Sequence, residues 1–252
     1  MTEHGARADI CRDRPGGPIP ALPDLLADLA QLAGVPSAVA AATAAVDVVL
    51  RDRGLHPVDE DARARALAAS AEASAALTGE HDRWILGALR LSAELTALAP
   101  VIRVAPAQAL ARAHALLAKG QLPDDQLGRI REGAAVSARM QGVNELLTKP
   151  TTAPAVILGA VVHAELGTVA PFGVASGLVA RAAEHLVLIS AGVDPFGVIV
   201  VEAGHLADAD HYQAGLDRYS DGAVSGVASW IIQCAAAVSR GAEVSPVART
   251  VP

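Results

Sequence analysis

Apolar residues recur along this chain at spacings of three and four, the period of helices that bury one side. Leu25, Leu26, Leu29 and Leu32 open the series from Leu22, and Gly34-Val-Pro36 predicts the end of that helix. A second helix is predicted over Ser37–Leu50, then a break at Arg51-Asp-Arg-Gly-Leu-His-Pro57. Asp59-Glu-Asp61 places acids where the next helix begins, which its dipole favours, and that helix runs to Gly79. His81–Ala99 repeats the pattern with Trp84, Leu91, Leu95 and Leu98 on one side and Pro100 beyond its end. Pro106–Lys119 does so again, stopped by Gly120. Residues 121–150 are polar and irregular, with Gly128, Gly133 and Gly142. Arg131–Arg139 gives only a poor strand pattern there.

Beyond residue 150 the pattern changes from one apolar side to nearly continuous apolar sequence. Ala153–Gly167 and Ser176–Ala191 read as buried central helices. Gly192-Val-Asp-Pro-Phe196 reads as a turn, and three shorter helical pieces end at Arg240. No repeat of 20–50 residues interrupts the series. The pattern predicts one all-α, multi-helix domain over residues 20–245 with little or no β structure, flanked by tails at 1–19 and 246–252.

Composition sharpens this picture. The 252 residues are 52% hydrophobic and rich in alanine, with two each of Trp, Tyr and Phe, so the helices must approach one another through small side chains. A net charge of −7 with no basic run excludes the footprint of a nucleic-acid binder. Cys11 and Cys234 form neither a disulfide framework nor a C-x-x-C pair, which predicts a reducing, cytoplasmic setting. The first 19 residues hold no apolar signal core. The apolar region 153–201 is broken by His163, Glu165, Arg181, Glu184, His185 and Asp194, so no membrane span is expected.

Candidate chemistry is sparse. No dinucleotide, Walker or serine-hydrolase motif is present, and Ser176 in Gly173–Gly177 reads as a helix cap. Glu202-Ala-Gly-His205 has the spacing of a di-iron ligand pair, with Asp208, Asp210 and His211 nearby, but no second copy exists. It reads as a solvated helix end, and no metal site is expected. His163 reads as a satisfied core histidine. Arg181 needs a partner for its charge if it is buried.

One stretch gathers these pieces. Thr168–Arg181 is a loop of small residues feeding a helix N-terminus, where unpaired N–H groups and the dipole favour an anion. It resembles the Fic (Fido) motif H-P-F-x-[D/E]-G-N-G-R-x-x-R, with Pro171, Phe172, Gly177 and Arg181 in place. Ala170 stands at the histidine, Val174 at the metal-binding acid, Ala175 and Ser176 at Gly-Asn, and Leu178 at the first arginine. Ser74, Thr78 and Gly79 are similar to the family's inhibitory S-x-x-x-E-G helix, with Thr78 at the glutamate. Ala111–Gly120 and Leu127-Gly-Arg-Ile-Arg131 resemble the approach to its flap, and Asp210–Leu216 and Ser229–Ile232 its closing helices.

The resemblance implies a fold that transfers AMP or a related group to a hydroxyl, with the histidine as base and the arginines and helix N-terminus holding phosphate. Alanine cannot take a proton, leucine cannot neutralise a phosphate, and valine cannot hold magnesium. The expectation is a catalytically degenerate Fic-like protein that acts by binding a protein partner, with a homo-oligomer among the possible assemblies. The alternative is a transferase of altered chemistry taking a nucleotide or other phosphate-containing ligand near Gly177. The binding residues expected are Phe172, Ser176, Gly177, Leu178 and Arg181, with Ser74, Thr78 and Gly79 a degenerate regulatory element. ATP with magnesium is expected to bind weakly if at all.

Overall fold

The computed structural model describes residues 24–51 and 59–247; the tail at 1–19, most of the predicted break at 51–57 and residues 248–252 lie outside them. Eleven α-helices occupy the described residues in this order: α1 Leu25–Leu29, α2 Val35–Arg51, α3 Glu60–Ala76, α4 His81–Ile102, α5 Pro106–Ala118, α6 Ala134–Thr148, α7 Ala155–Val169, α8 Ser176–Ser190, α9 Val201–Leu206, α10 Ala209–Ser220 and α11 Val224–Glu243. No strand is found among them, only an isolated bridge between Lys119 and Leu122. The all-α expectation holds, and one core cluster runs from Leu26 to Ala242.

Helix α8 is the axis of the molecule. Every residue from Leu178 to Ile189 is buried, because α7, α4, α5 and α3 pack around it. A helix this apolar, with its few charged residues hydrogen-bonded, sits in the middle of a core. Helix α7 lies along it and is covered in turn by α6, α10 and α11, while α2 packs on the far side of α11. By length and composition alone, His81–Ile102 and Gly173–Ser190 could each cross a bilayer, which the sequence reading did not foresee. Both contribute instead to this core, the second with Arg181, Glu184 and His185 buried on it.

Small residues let the backbones touch. A Cβ at Gly87 of α4 would lie 2.1 Å from the Leu117 carbonyl oxygen of α5, and one at Gly204 of α9 would lie 1.9 Å from that of Ala237 in α11. This is the close approach that the alanine-rich composition predicts.

Several boundaries differ from the sequence reading. Residues 134–148 form a helix rather than irregular chain, since Val136, Val143 and Leu147 are buried at helical spacing and only Gly142 lowers its propensity. Helix α4 continues past the predicted stop to Ile102 with Pro100 inside it, where burial of Ala99 and Ile102 offsets the hydrogen bond that proline removes. Helix α1 is only five residues long, and α2 starts at Val35, taking Pro36 into its first turn, where a missing N–H costs nothing. The last of the expected short pieces is a 20-residue helix that runs past Arg240 to Glu243.

Candidate functional site

The loop between α7 and α8 is built from backbone that cannot stay helical. Ala170 ends α7 in the left-handed region at φ 46°, the one such residue other than glycine among those described. Arg131 holds this turn: its Nε donates to the Ala170 carbonyl at 2.7 Å, its Nη2 to that of Val169 at 2.8 Å, and its backbone N–H to that of Pro171 at 2.8 Å. A cation on the final carbonyls of a helix is favourable through both hydrogen bonds and the dipole. The Arg131 seen in sequence as an entry to the flap is therefore a clamp on the loop.

Phe172 is buried and stacks on His114, with ring centroids 4.6 Å apart. Burial lowers the pKa of His114, so its ring is neutral and its Nδ1 can accept from the Gly128 N–H at 3.0 Å. A cavity of about 100 Å³ beside Phe172 is walled by Pro106, Leu110, Gly128, Ile130 and Met140.

Ser176 does not cap α8 in the expected way. The turn Gly173–Ala175 is a 3-10 helix that runs straight into α8, and the Ser176 N–H donates to the Gly173 carbonyl. Its Oγ accepts instead from the Phe172 N–H at 2.8 Å. Ser176 and Leu178 are buried, Gly177 is half-buried, and Val174 at the tip of the turn is 64% exposed.

Arg181 is buried, and its charge meets neutral oxygens rather than an acid. Its Nε donates to Ser74 Oγ at 2.9 Å, Nη2 to the Ser74 carbonyl at 2.8 Å, and Nη1 to Tyr212 Oη at 3.1 Å. Ser74 thus reaches the arginine from the helix that resembles the inhibitory one, a contact the sequence did not point to. Thr78 is occupied elsewhere: its hydroxyl donates to the Ala75 carbonyl and accepts from the Glu80 N–H, and Gly79 turns the chain at φ 71°.

Behind Arg181 lies a polar cluster that sequence spacing did not reveal. Tyr212 Oη is 2.7 Å from His163 Nε2, His163 Nδ1 is 2.6 Å from Glu184 Oε2, and His205 Nε2 is 2.8 Å from the same oxygen. Burial pushes the His163 pKa down to about 4 despite the carboxylate beside it. Burial works the opposite way on Glu184, but His205 and His163 outweigh it and keep the carboxyl ionised. A neutral His163 donating from Nδ1 accepts at Nε2, so Tyr212 donates to it while accepting from Arg181. The bonds therefore run in one direction from Arg181 to Glu184. Cys234 completes the group, and burial together with Glu184 pushes its thiol up.

Glu202 and His205 are buried, not a solvated helix end, and they serve different clusters. Glu202 Oε1 is 3.2 Å from His185 Nδ1, while Asp194 Oδ2 is 3.1 Å from His185 Nε2. Burial alone would lower the His185 pKa, but the two carboxylates raise it to about 10. Asp194 also accepts from the N–H groups of Val198 and Ile199, which fastens the turn after α8 to the core. This second cluster reads as structural.

No protein-family model matches the chain, and no curated protein matches it in sequence. Its shape does resemble solved structures. A Fic family protein from Desulfovibrio desulfuricans G20 is similar over 81% of this chain and 73% of that one, with a TM-score of 0.59 and 17% identity. The chain has a Fic-like, all-α fold, carried by a sequence far removed from that neighbour.

Proposed function

We propose that this protein is a Fic-like domain that no longer transfers nucleotides and acts by binding a protein partner in the cytoplasm. The observation that carries this reading is the state of Arg181, whose three donor nitrogens are all engaged with Ser74 and Tyr212 in a buried setting. A phosphate would find three of the five N–H groups already taken, on a side chain that is itself buried. Ala170, at the histidine position, offers no base, and its carbonyl is taken by Arg131. The cavity beside Phe172, at about 100 Å³, is well below the roughly 300 Å³ at which small-molecule sites begin.

What the loop offers outward is apolar. Val174, at the tip of the turn, and Ile130, which lines the Phe172 cavity, are both exposed, in the region where a transferase would present charge. Such a surface suits an apolar side chain of a partner. Two measurements test the reading. The unmodified protein, given labelled ATP and magnesium, should label nothing above a no-enzyme control, and calorimetry should give a dissociation constant no tighter than about millimolar, near −4 kcal/mol. Micromolar binding abolished by Arg181→Ala would overturn the proposal. A photo-crosslinking side chain at 174 should capture a discrete protein that one at Val48 on α2 does not; equal capture at both positions would remove the binding half of the argument.

A further inference from the structure

The cluster behind Arg181 brings together four metal-ligating side chains from four helices: His163 of α7, Glu184 of α8, His205 of α9 and Cys234 of α11. One ligand atom from each lies within 4.8 Å of the other three, and all four residues are buried. We propose that they form a closed, structural site for a divalent transition metal, with zinc the best match. The proposal is independent of the nucleotide question, because none of the four belongs to the loop or the helix start of α8.

The donor set argues for zinc. Two imidazoles, a carboxylate and a thiolate are borderline to soft ligands, unsuited to magnesium or calcium, and a fourfold protein set matches the tetrahedral structural sites of zinc. Bonds of 2.0–2.3 Å in a tetrahedron put donors about 3.3–3.8 Å apart. The His163–Glu184 and His205–Glu184 contacts, at 2.6 and 2.8 Å, need to open by less than about 1 Å, and the widest pair needs to close by about the same amount. Side-chain rotation is enough for that.

Two further observations point to a ligand. Glu184 Oε1 and His205 Nδ1 have no hydrogen-bond partner although both are fully enclosed. An ion held by both Glu184 oxygens would satisfy the first of these atoms, and a buried polar atom of this kind calls for an explanation; His205 Nδ1, on the far side of a ring that ligates through Nε2, stays unpaired with or without the ion. The surroundings of His163 also suit a ligand: coordination through Nδ1 would move the ring proton to Nε2 and reverse the bond to Tyr212, so that Nε2–H donates to Tyr212 Oη, the outer contact that metal-bound histidines characteristically make. Trp230 closes the site, edge-on to His163 with centroids 5.1 Å apart and fixed by its own bond to the Ala160 carbonyl at 2.8 Å.

Charge balances as well. A divalent ion with Glu184 carboxylate, Cys234 thiolate and two neutral imidazoles has no net charge, which is what a dry interior requires. The ion takes the place of the Cys234 thiol proton, which leaves to solvent. With four protein ligands there is no open position for a substrate, so the role is to tie α7, α8, α9 and α11 together.

Metal analysis of the full-length protein, produced with zinc and dialysed, should find about one zinc per chain. Cobalt added to chelator-treated protein should give a tetrahedral visible spectrum with a sulfur-to-cobalt charge-transfer band that saturates at about one equivalent. Cys234→Ala should abolish that band, and His211→Ala, an exposed histidine, should leave it unchanged. Should Cys234→Ala fail to fold, the wild-type charge-transfer band decides alone. Absence of zinc with no cobalt spectrum, or metal lost with His211→Ala and kept with Cys234→Ala, overturns the proposal.

Discussion

Replacing Gly87 by alanine separates two effects that act in opposite directions. Within a helix, alanine is favoured over glycine by about 0.8–1.0 kcal/mol, so the substitution should stabilise wherever there is room. At Gly142 on α6 there is room, since an added Cβ meets nothing within 4 Å. At Gly87 the Cβ would sit 2.1 Å from the Leu117 carbonyl oxygen and 2.9 Å from its carbonyl carbon, both backbone atoms of α5. Ordinary carbon–oxygen contacts are about 3.3–3.6 Å, so α4 and α5 must part by about 1 Å. Overpacking of this kind costs about 1–3 kcal/mol and occasionally more, and here no flexible side chain can yield. We expect Gly87→Ala to lose about 2 kcal/mol net and Gly142→Ala to gain nearly the full helix preference. For a chain of this size 1 kcal/mol moves Tm by about 2–4 °C, giving a fall of about 4–8 °C against a rise of about 2–4 °C. Thermal unfolding followed by circular dichroism measures both. A Gly87→Ala protein as stable as the parent would refute the backbone contact between α4 and α5.

Other perturbations probe different parts of the structure. His185→Met leaves Asp194 and Glu202 buried without their cation and should cost about 3–5 kcal/mol in urea unfolding; a loss under about 1 kcal/mol would mean the two acids are not both charged. Ala170→Gly relieves a left-handed alanine at a penalty in chain entropy, so stability should stay level or rise by up to about 1 kcal/mol, and a clear loss would contradict the φ of 46°. The pKa of Asp24 is lowered chiefly by the Thr152 N–H, so its contribution to stability should be present above pH 3.8 and fade as pH falls through its lower folded value. Asp24→Asn should therefore matter at pH 7 and hardly at pH 2, and an equal effect at both would remove the carboxylate from the account.

The sequence located α3 and α5 through apolar residues recurring at three and four, and α7 and α8 through nearly continuous apolar runs. It missed α6 because Gly128 and Gly133 ahead of it, Gly142 within it and weak amphipathicity made residues 121–150 look uniform. It split the end of the chain into short pieces and stopped at Arg240, whereas Gly226 and Gly241 of α11 each let a neighbouring backbone come close along one long helix. Two separate motif resemblances singled out Arg181 and Ser74, and their contact with each other was not legible from either. Tyr212 as the arginine's second partner was not visible, nor was the cluster of His163, Glu184, His205 and Cys234. Those residues carry no common spacing, and only the packing of four helices brings them together. The Glu202-x-x-His205 spacing was misleading for the same reason, since residues on one short helix turned to two different neighbours.

The clamp by Arg131 bears on how the molecule comes apart. Three consecutive carbonyls at the end of α7 are held by a residue from a segment that precedes α6, and that segment is itself tied to α5 through Gly128 and His114. Neither stretch can be ordered without the other, so residues 121–131 and 168–176 should exchange their amide hydrogens at one shared rate and open as a single cooperative unit.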